Sequence, residues 1–270
     1  MDKGFSGKNT GPKVRYFVKE PETRHYSLGG IKLKIRVTPE IFPPSCIASL
    51  MAASMEIRPG DRVLDIGTGS GILAIIAAKL GGVVSATDIS PDAIRAAGKN
   101  AELNDVGISL RRGSYFAGLD ENFDVIIANL PQEIVPASYR RALGPKLSRT
   151  IDSGKHGNRH LMRFLNLAKG HLHENTRLYL PVYTAADYAS TMRKILSGYN
   201  ARLVAFEEFP TKEFVPNNLG YFRRLDNSGK VRIFRRGKDW IAQAYLFEIT
   251  RKKILVSRPF GMQVPSFPNT

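Results

Sequence analysis

The sequence has few of the features that mark secreted or membrane proteins. Its 270 residues include one cysteine, Cys46, so no disulfide can form within the chain, and a small buried thiol is expected there. No apolar run reaches the length of about 20 residues that a membrane-spanning helix needs. The polar residues 1–12 are unlike a secretory leader and are expected to be disordered. We therefore expect a cytoplasmic protein that is not held in a membrane.

Acidic residues are also scarce relative to basic ones. The chain has 24 Asp and Glu against 40 Lys and Arg, which gives a formal net charge of +16 and a pI near 10.0. Half of this excess falls in residues 211–260, which contain 12 basic and 4 acidic residues. A charge of this size favours contact with phosphate backbones, anionic ligands or acidic protein surfaces. Residues 211–260 are therefore a candidate contact for nucleic acid, with a solvated basic surface as the alternative.

The apolar pattern alternates between the periods of strands and helices. Short apolar runs such as 62–66 and 123–130 suit strands buried in a parallel sheet, and helical patterns follow them. This alternation predicts an α/β domain with a mainly parallel sheet. Ahead of it, alternating apolar residues predict a strand over 31–37. Near the other end, the turn residues "DNSG" at 226–229 predict a basic β-hairpin at about 217–240.

The stretch "DIGTGSG", residues 65–71, joins a predicted strand to a predicted helix. Gly67, Gly69 and Gly71 stand at alternate positions, where glycines let the backbone turn tightly and approach a ligand beside the free N–H groups of the helix start. Asp88 ends the next strand, 19 residues after Gly69, where a carboxylate can accept both hydroxyls of a ribose. The pattern predicts a nucleotide-like ligand, with a tight turn that binds nothing as the alternative.

The loop is spaced G-x-G-x-G with Asp65 two residues before it, whereas dinucleotide-binding loops are spaced G-x-G-x-x-G. This arrangement resembles the motif of class I S-adenosylmethionine-dependent methyltransferases, and the resemblance covers roughly residues 45–250. It implies their Rossmann-like α/β fold, a mainly parallel seven-stranded sheet with helices on both faces, and S-adenosyl-L-methionine as cofactor. It also implies a flexible amino terminus with a short extension over 1–44, a methyltransferase domain over 45–256, and a tail over 257–270.

The same resemblance assigns cofactor contacts. In that family the acid matching Asp65 lies near the methionine part of the cofactor, and the acid matching Asp88 binds its ribose. Ile89 would form an apolar wall for the adenine, which "RRGSYF" would also contact; Ser114 there replaces a residue that is often Asp. The implied cofactor-binding set is Asp65, Gly67, Thr68, Gly69, Gly71, Asp88, Ile89, Ser114, Tyr115 and Asn129.

The fourth strand of the predicted sheet ends in "NLPQ", which is Asn129, Leu130, Pro131 and Gln132. This tetrapeptide is similar to the N-P-P-Y motif of methyltransferases that act on amide or exocyclic amino nitrogens, among them HemK-like glutamine methyltransferases and N6-adenine enzymes. "VTPEIFPPSCIASLM" and "IDSGKHGN" are similar to two further segments of the HemK-like group. The resemblance makes the four residues of "NLPQ" the candidate catalytic set.

The chemistry of such a nitrogen explains an asparagine at this place. An amide nitrogen is a poor nucleophile because its lone pair is delocalised. If the Asn129 side-chain oxygen and the following backbone carbonyl accept its hydrogens, the lone pair is aimed at the sulfonium methyl at about 3–3.5 Å. Bonds that strengthen as the nitrogen becomes positive lower the barrier further. The alternative is that Asn129 only ends a strand in a turn.

Two departures from the motif affect the choice of acceptor. Leu130 keeps the backbone carbonyl but loses the rigidity of proline. Gln132 replaces an aromatic residue that would stack on a planar base, which disfavours a flipped adenine unless Tyr115 or Phe116 supplies a ring.

The leading hypothesis is an N-methyltransferase for an amide or amino nitrogen on a protein of the translation machinery. The alternatives are an RNA or DNA base N-methyltransferase, a small-molecule biosynthetic methyltransferase, and a non-catalytic nucleic-acid-binding protein. The expected partner is a protein or RNA-associated acceptor, with nucleic acid contacted through 211–260 and no membrane. The histidine pairs at 156 and 160 and at 171 and 173 lack the ligands that would complete a metal site, so no metal is expected.

Overall fold

A computed structural model of the chain describes residues 17–252. The predictions for residues 1–12 and 257–270 lie outside these residues. In chain order the elements are β1 (Glu22–Leu28), β2 (Ile31–Val37), α1 (Cys46–Ser54), β3 (Arg62–Ile66), α2 (Ile72–Lys79), β4 (Val83–Asp88), α3 (Pro91–Leu103), β5 (Ser109–Arg112), β6 (Val125–Ala128), α4 (Ala137–Ser148), α5 (Arg159–Ala168), β7 (Arg177–Tyr183), α6 (Tyr188–Gly198), β8 (Tyr199–Pro210), a 3-10 turn (Pro216–Asn218), α7 (Leu219–Asn227), β9 (Phe234–Arg236) and β10 (Asp239–Arg251).

The central sheet has the order β5-β4-β3-β6-β7-β10-β8. The five strands from β5 to β7 are parallel, and β10 runs antiparallel to both β7 and β8. The predicted mainly parallel, seven-stranded α/β sheet is therefore confirmed, and the short β9 adds an eighth strand beside the start of β10. Alternate residues of the inner strands enter two apolar cores, one with α1 and α2 and the other with α5 and α6. Helices thus cover both faces.

The strand order reverses at β3. The chain passes from β3 to β4 on one side and later returns to β6 on the other, so the carboxyl ends of these three strands lie side by side. In open α/β sheets, ligands bind in the crevice at such a reversal. The fold therefore brings together the ends of β3, β4 and β6, which the sequence separates by dozens of residues.

The extension before residue 45 contains a β-hairpin of β1 and β2. Leu33, Ile35 and Val37 are buried as the alternation predicts, and they share a core with α1 and α2. β1 was not predicted. Because the hairpin packs into the same core as the sheet, the predicted division at residues 44 and 45 does not separate two packing units.

Two asparagines of α3 dock the free edge of β2. The Asn104 amide accepts a hydrogen bond from Lys34 N at 3.0 Å and donates to Lys34 O at 2.7 Å. Asn100, one helical turn earlier, does the same with Arg36, at 2.7 and 3.2 Å. These side chains satisfy backbone groups that a neighbouring strand would otherwise satisfy. Asn100 also donates to Ser70 O at 2.9 Å, so the hairpin is tied to the glycine loop.

The predicted basic hairpin at 217–240, with its turn at 226–229, is wrong in its first half. Residues 219–227 form helix α7, and the hairpin is the short one in which β9 turns into β10. Leu219, Phe222 and Leu225 recur every third residue, and Phe222 is fully buried between its half-buried neighbours. In a helix these three residues share one face, whereas a strand would place them on alternating faces. Because the shared apolar face is buried, the segment folds as a helix. Among residues 17–252, no helix is long and apolar enough to cross a membrane.

Candidate active site

The glycine loop after β3 adopts a conformation that only glycine tolerates well. Gly67, Gly69 and Gly71 have φ values of 73°, 56° and 82°, all in the left-handed region. A side chain on Gly71 would also lie 3.0 Å from Ala97 of α3. Backbone N–H groups of Gly67 and Thr68 both donate to Thr87 O, at 2.8 and 3.0 Å. The loop is thus fixed against the end of β4.

Asp65 lies beneath this loop. Its side chain is buried, with 2% exposure, and accepts a 2.6 Å hydrogen bond from the Thr68 hydroxyl. Burial and, to a smaller extent, the nearby Asp88 charge raise the pKa of Asp65 to about 7, although the hydrogen bond from Thr68 lowers it. These contacts make Asp65 a support for the loop. The contact with the methionine part of the cofactor stays a prediction.

Asp88 ends β4 beside the loop. One carboxylate oxygen accepts from Gly69 N at 3.0 Å and the other from Ser90 N at 2.9 Å. Burial raises the pKa of Asp88, while the backbone donors lower it. Each oxygen keeps a lone pair that can accept a ribose hydroxyl. The neighbouring Ile89 is 70% exposed, and its contact with adenine stays a prediction.

Part of the segment predicted to contact adenine makes contacts within the fold. Tyr115 has a φ of 53°, and its hydroxyl is 3.1 Å from His160 Nδ1. Burial raises the pKa of Tyr115 and lowers that of His160. Ser114 and Tyr115 remain half-exposed. The suggestion that Phe116 stacks on a substrate is wrong, because its buried ring is stacked on His171, with the ring centroids 4.0 Å apart.

The candidate catalytic motif follows β6 on the other side of the loop. Asn129 is half-buried, and its side-chain amide has no hydrogen-bond partner within the part of the chain that the structure describes. Leu130 packs on the glycine loop so closely that a side chain on Gly67 would lie 2.9 Å from Leu130 Cδ2. The glycine loop and the motif are therefore in direct contact.

The side chain of Gln132 makes hydrogen bonds within the fold. Its Nε2 donates to Pro181 O at 3.0 Å, and its Oε1 accepts from Tyr183 N at 2.9 Å. The side chain is buried, and both ends of its amide are satisfied by the backbone of β7. These bonds do not support the predicted contact with an acceptor. They make Gln132 a residue that positions the motif.

A cavity of about 420 Å³ opens beside the motif. Its lining comprises Arg24, Phe42, Pro43, Pro44, Ser45, Cys46, Ile47, Asn129, Leu130, Pro131, Gln132, Glu133, Thr150, Ile151, Tyr183, Phe209, Pro210 and Lys212. Cys46 begins α1 at this cavity and is exposed, so the expectation of a buried thiol is wrong. The volume suits one amino-acid side chain or one base.

A buried ion pair forms one wall of this cavity. Lys212, from the segment after β8, pairs with Glu133, whose side chain is 9% exposed, and lies 5.2 Å from the centre of the Phe42 ring. Glu133 also pairs through its backbone with the "IDSGKHGN" segment: Glu133 N donates to Ile151 O, and Ser153 N donates to Glu133 O. No pattern in the sequence pairs Lys212 with Glu133 or Phe42, because these partners lie far from it along the chain.

No group of three or more metal-ligating side chains is present among residues 17–252. The residues at the ends of β3 and β4 instead fit an adenosine-type cofactor: a glycine loop without side chains, a carboxylate with free lone pairs, and an exposed isoleucine.

Comparison with known proteins agrees with this geometry. A family model described as ribosomal protein L11 methyltransferase matches residues 44–146. A ribosomal protein L11 methyltransferase from Caldicellulosiruptor bescii is 38% identical over 121 residues, which are 43% of this chain and 40% of that protein. A chain from Methanocaldococcus jannaschii, named as a candidate protein N5-glutamine methyltransferase, is 29% identical over 191 residues, which are 70% of this chain and 95% of that protein.

A solved structure shares the fold. The 16S rRNA N2 G1207 methyltransferase of T. thermophilus, in complex with AdoMet and guanosine, superposes with a TM-score of 0.52 at 15% identity, over 87% of this chain and 52% of that one. This likeness shows the fold alone. The chain spans only 30% to 40% of the length of four L11 methyltransferases that it matches. The matched segment holds the glycine loop, Asp88 and Asn129, and it is similar to the corresponding part of these methyltransferases.

Proposed function

We propose that this chain, built on an S-adenosylmethionine-dependent methyltransferase core, methylates an amide nitrogen of a protein of the translation machinery. "NLPQ" would act as a variant of the HemK-like nitrogen-binding motif. The observation that carries this proposal is the Asn129 amide. It is half-buried at the acceptor cavity, touches the glycine loop through its neighbour Leu130, and has no partner within the described residues. Its polar atoms are accessible from the cavity and can therefore bond to a ligand placed there.

The proposed mechanism rests on two fixed oxygens. The Asn129 side-chain oxygen and the backbone carbonyl that follows it accept the two hydrogens of the acceptor –NH₂, which orients the nitrogen lone pair. When bound, the cofactor supplies an electrophilic methyl on a sulfonium sulfur. The residues of the motif would hold the acceptor nitrogen in line with that methyl, and the nitrogen would release one proton to solvent once methylated. Hydrogen bonds to these oxygens strengthen as positive charge develops on the nitrogen.

The fold replaces the rigidity that Leu130 lacks. Leu130 packs against Gly67, and Gln132 is bonded to the backbone of β7 at two points. Both contacts hold the peptide groups of the motif in place. Position 130 therefore does not need proline to hold the backbone of the motif in place.

The charges of the cavity favour an uncharged acceptor. Its charged lining residues are Arg24, Glu133 and Lys212, and the one carboxylate among them is paired with Lys212. A protonated lysine entering this site would find no unpaired carboxylate to neutralise it, which costs free energy in a partly buried site. A glutamine or asparagine amide carries no charge and avoids this cost.

The assignment to the translation machinery rests on the relatives and on the charge of the chain. The relatives are named for methylation of ribosomal protein L11 and of a protein glutamine. A net charge of +16 suits a substrate that is embedded in RNA.

A nucleobase is the second candidate acceptor. The rings of Phe42, Tyr183 and Phe209 line the cavity and could face a flipped base. A base bound in this way would not need to stack on Gln132, whose side chain is bonded to the backbone of β7.

Transfer of tritiated methyl groups tests the proposal. Purified protein is incubated with labelled cofactor and ribosomes, and the products are digested with protease or with RNase. Label that survives RNase, disappears with protease and runs as methylglutamine or methylasparagine after enzymatic digestion is the expected result. Label removed by RNase alone would overturn the amide assignment in favour of a base. Label only in low-mass material, or cofactor binding without any transfer, would overturn it in favour of a small molecule or a non-catalytic role.

A further inference from the structure

The basic segment, residues 219–240, is a second surface that methyl transfer does not use. It comprises α7, the turn after it, β9 and the first residues of β10. Seven of its residues are exposed cations, namely Arg223, Arg224, Lys230, Arg232, Arg235, Arg236 and Lys238. Its acidic residues are Asp226, which accepts a hydrogen bond from Ile233 N, and Asp239.

Most of this positive charge is not neutralised. Among the described residues, Arg236 is the one member of the seven that pairs with a carboxylate, that of Glu208 at 2.6 Å. The guanidinium of Arg235 donates to the nearby Gly237 carbonyl instead. A cluster of exposed, unpaired cations is electrostatically unfavourable by itself, and a polyanion would relieve that repulsion.

Aromatic rings lie among these cations. The Arg223 guanidinium is 5.3 Å from the centre of the Trp240 ring, and that of Arg236 is 5.7 Å from the centre of the Phe234 ring. Both rings are half-buried, so part of each is accessible. Exposed arginines interleaved with accessible rings are the groups that bind the phosphates and stack on the bases of single-stranded nucleic acids.

The basic segment is bonded to the chain that builds the acceptor cavity. Trp240 O accepts from Thr211 N at 2.7 Å, and Thr211 precedes Lys212 of the cavity wall. Arg232 exchanges two hydrogen bonds with Thr184, at 2.7 and 2.8 Å, one residue after Tyr183 of the same wall. The backbone of the basic segment therefore lies beside the residues that continue the cavity wall.

We propose that the basic segment binds single-stranded RNA, through phosphate contacts of its arginines and lysines and base contacts of Trp240 and Phe234. An acidic protein would meet the charge but would have no planar bases for the rings. RNA binding here would place an acceptor that is bound to RNA near Asn129. It is measured without cofactor, so its failure leaves the methyl-transfer proposal standing.

Trp240 provides a direct probe because it is the single tryptophan of the chain. Its emission is followed while a 20-nucleotide single-stranded RNA of mixed sequence is added at several KCl concentrations. We expect saturable quenching and an affinity that falls linearly with salt on logarithmic axes. A 20-residue oligo-glutamate should bind at least tenfold more weakly. Unchanged Trp240 emission, or equal binding of the two polyanions, would overturn the proposal.

A matched pair of charge variants locates the contact. Replacing Arg224, Arg232, Arg235 and Lys238 by glutamine should weaken RNA binding at least tenfold and reduce the logarithmic salt slope by about 3, at roughly 0.7 per lost phosphate contact. The control replaces four exposed cations elsewhere, Lys32, Lys34, Arg58 and Lys99, by glutamine, and should change affinity less than threefold. Equal losses in both variants would show that net charge alone binds RNA and would refute a specific surface.

If circular dichroism shows that the fourfold variant does not fold, a single substitution tests the same contact. Arg235→Gln alone should lower the salt slope by about 0.7 and weaken binding two- to threefold. An unchanged slope in that variant counts against the proposal.

Discussion

The two sides of the candidate site differ in how completely their polar groups are satisfied. On the cofactor side, the glycine loop, Asp65 and Asp88 are linked by hydrogen bonds, and even the buried carboxylate has a hydroxyl partner. On the acceptor side, the Asn129 amide has no partner among the described residues, and aromatic and proline residues line the cavity. The polar groups of the cofactor side are thus satisfied within the protein, whereas the proposed substrate would complete the acceptor side. Substitutions on the two sides should affect different measurements.

The largest expected effect is that of Asn129→Ala. The change removes the oxygen proposed to orient the acceptor, so turnover should fall about a hundredfold, as when one preorganised hydrogen-bonding group is lost. Cofactor affinity, measured by calorimetry, should stay within about twofold. Asn200→Ala, at an exposed asparagine of β8 outside the cavity, is the control and should leave both unchanged. Unaltered turnover in Asn129→Ala would remove this residue from the mechanism.

Asp88→Ala should have the opposite pattern. It removes a charged acceptor for the ribose hydroxyls and a bond to the glycine loop, so cofactor affinity should fall about twentyfold, or roughly 1.8 kcal/mol. Turnover at saturating cofactor should change less than threefold. Asp92→Ala, just inside α3, loses only surface ion pairs and should bind cofactor normally. Equal cofactor affinity in the two variants would contradict the role of Asp88.

Asp65→Asn tests the buried carboxyl through pH. The pKa of Asp65 is about 7 in the folded protein and about 3.8 when accessible, so the folded state keeps a proton that the unfolded state has released. The contribution of the protonated Asp65 carboxyl to stability is fully present below pH 4 and is lost as the pH rises to about 7. Asparagine cannot ionise, so the stability of the variant relative to the parent should rise by about 3 kcal/mol between pH 4 and pH 7. The measurement is denaturant unfolding across that pH range.

The control for this experiment is Asp105→Asn, at an exposed carboxylate, which should follow the parent curve. Parallel curves for Asp65→Asn and the parent would show that the Asp65 carboxyl is not protonated in the folded protein at neutral pH.

The smallest expected effect concerns the contact between the two sides. Gly67→Ala should destabilise the fold by about 1–2 kcal/mol through left-handed strain, plus a clash with Leu130. In a Leu130→Ala background the clash disappears, so the cost of Gly67→Ala should fall by about 0.5–1 kcal/mol. Gly60→Ala has a similar φ of 87° but no neighbour within 4 Å, and its cost should not depend on residue 130. If the losses of unfolding free energy for Gly67→Ala and Leu130→Ala simply add in the double variant, the two sides are not coupled.

The cofactor side was predictable because its determinants are local. A strand, a turn of alternating glycines and a helix follow one another within 62–79, and the backbone conformation itself requires glycine. Asp88 is one strand further along. The acceptor side was predictable only at Asn129. Lys212 is 79 residues from Glu133, and Gln132 finds its partners about 50 residues away, so neither contact leaves a pattern in the sequence.

The sequence by itself determined most of the alternation of strands and helices between β3 and β7, the position of the glycine bend after β3, and the excess of basic charge, because apolar periodicity, glycine conformation and net charge are properties of neighbouring residues. Only the tertiary structure decided that Gln132 is bonded to β7, that α3 docks the amino-terminal hairpin through two asparagines, and that residues 219–227 form a helix. An amide side chain can bond to any nearby backbone group. Which partner it takes depends on the register of strands that are distant in the chain.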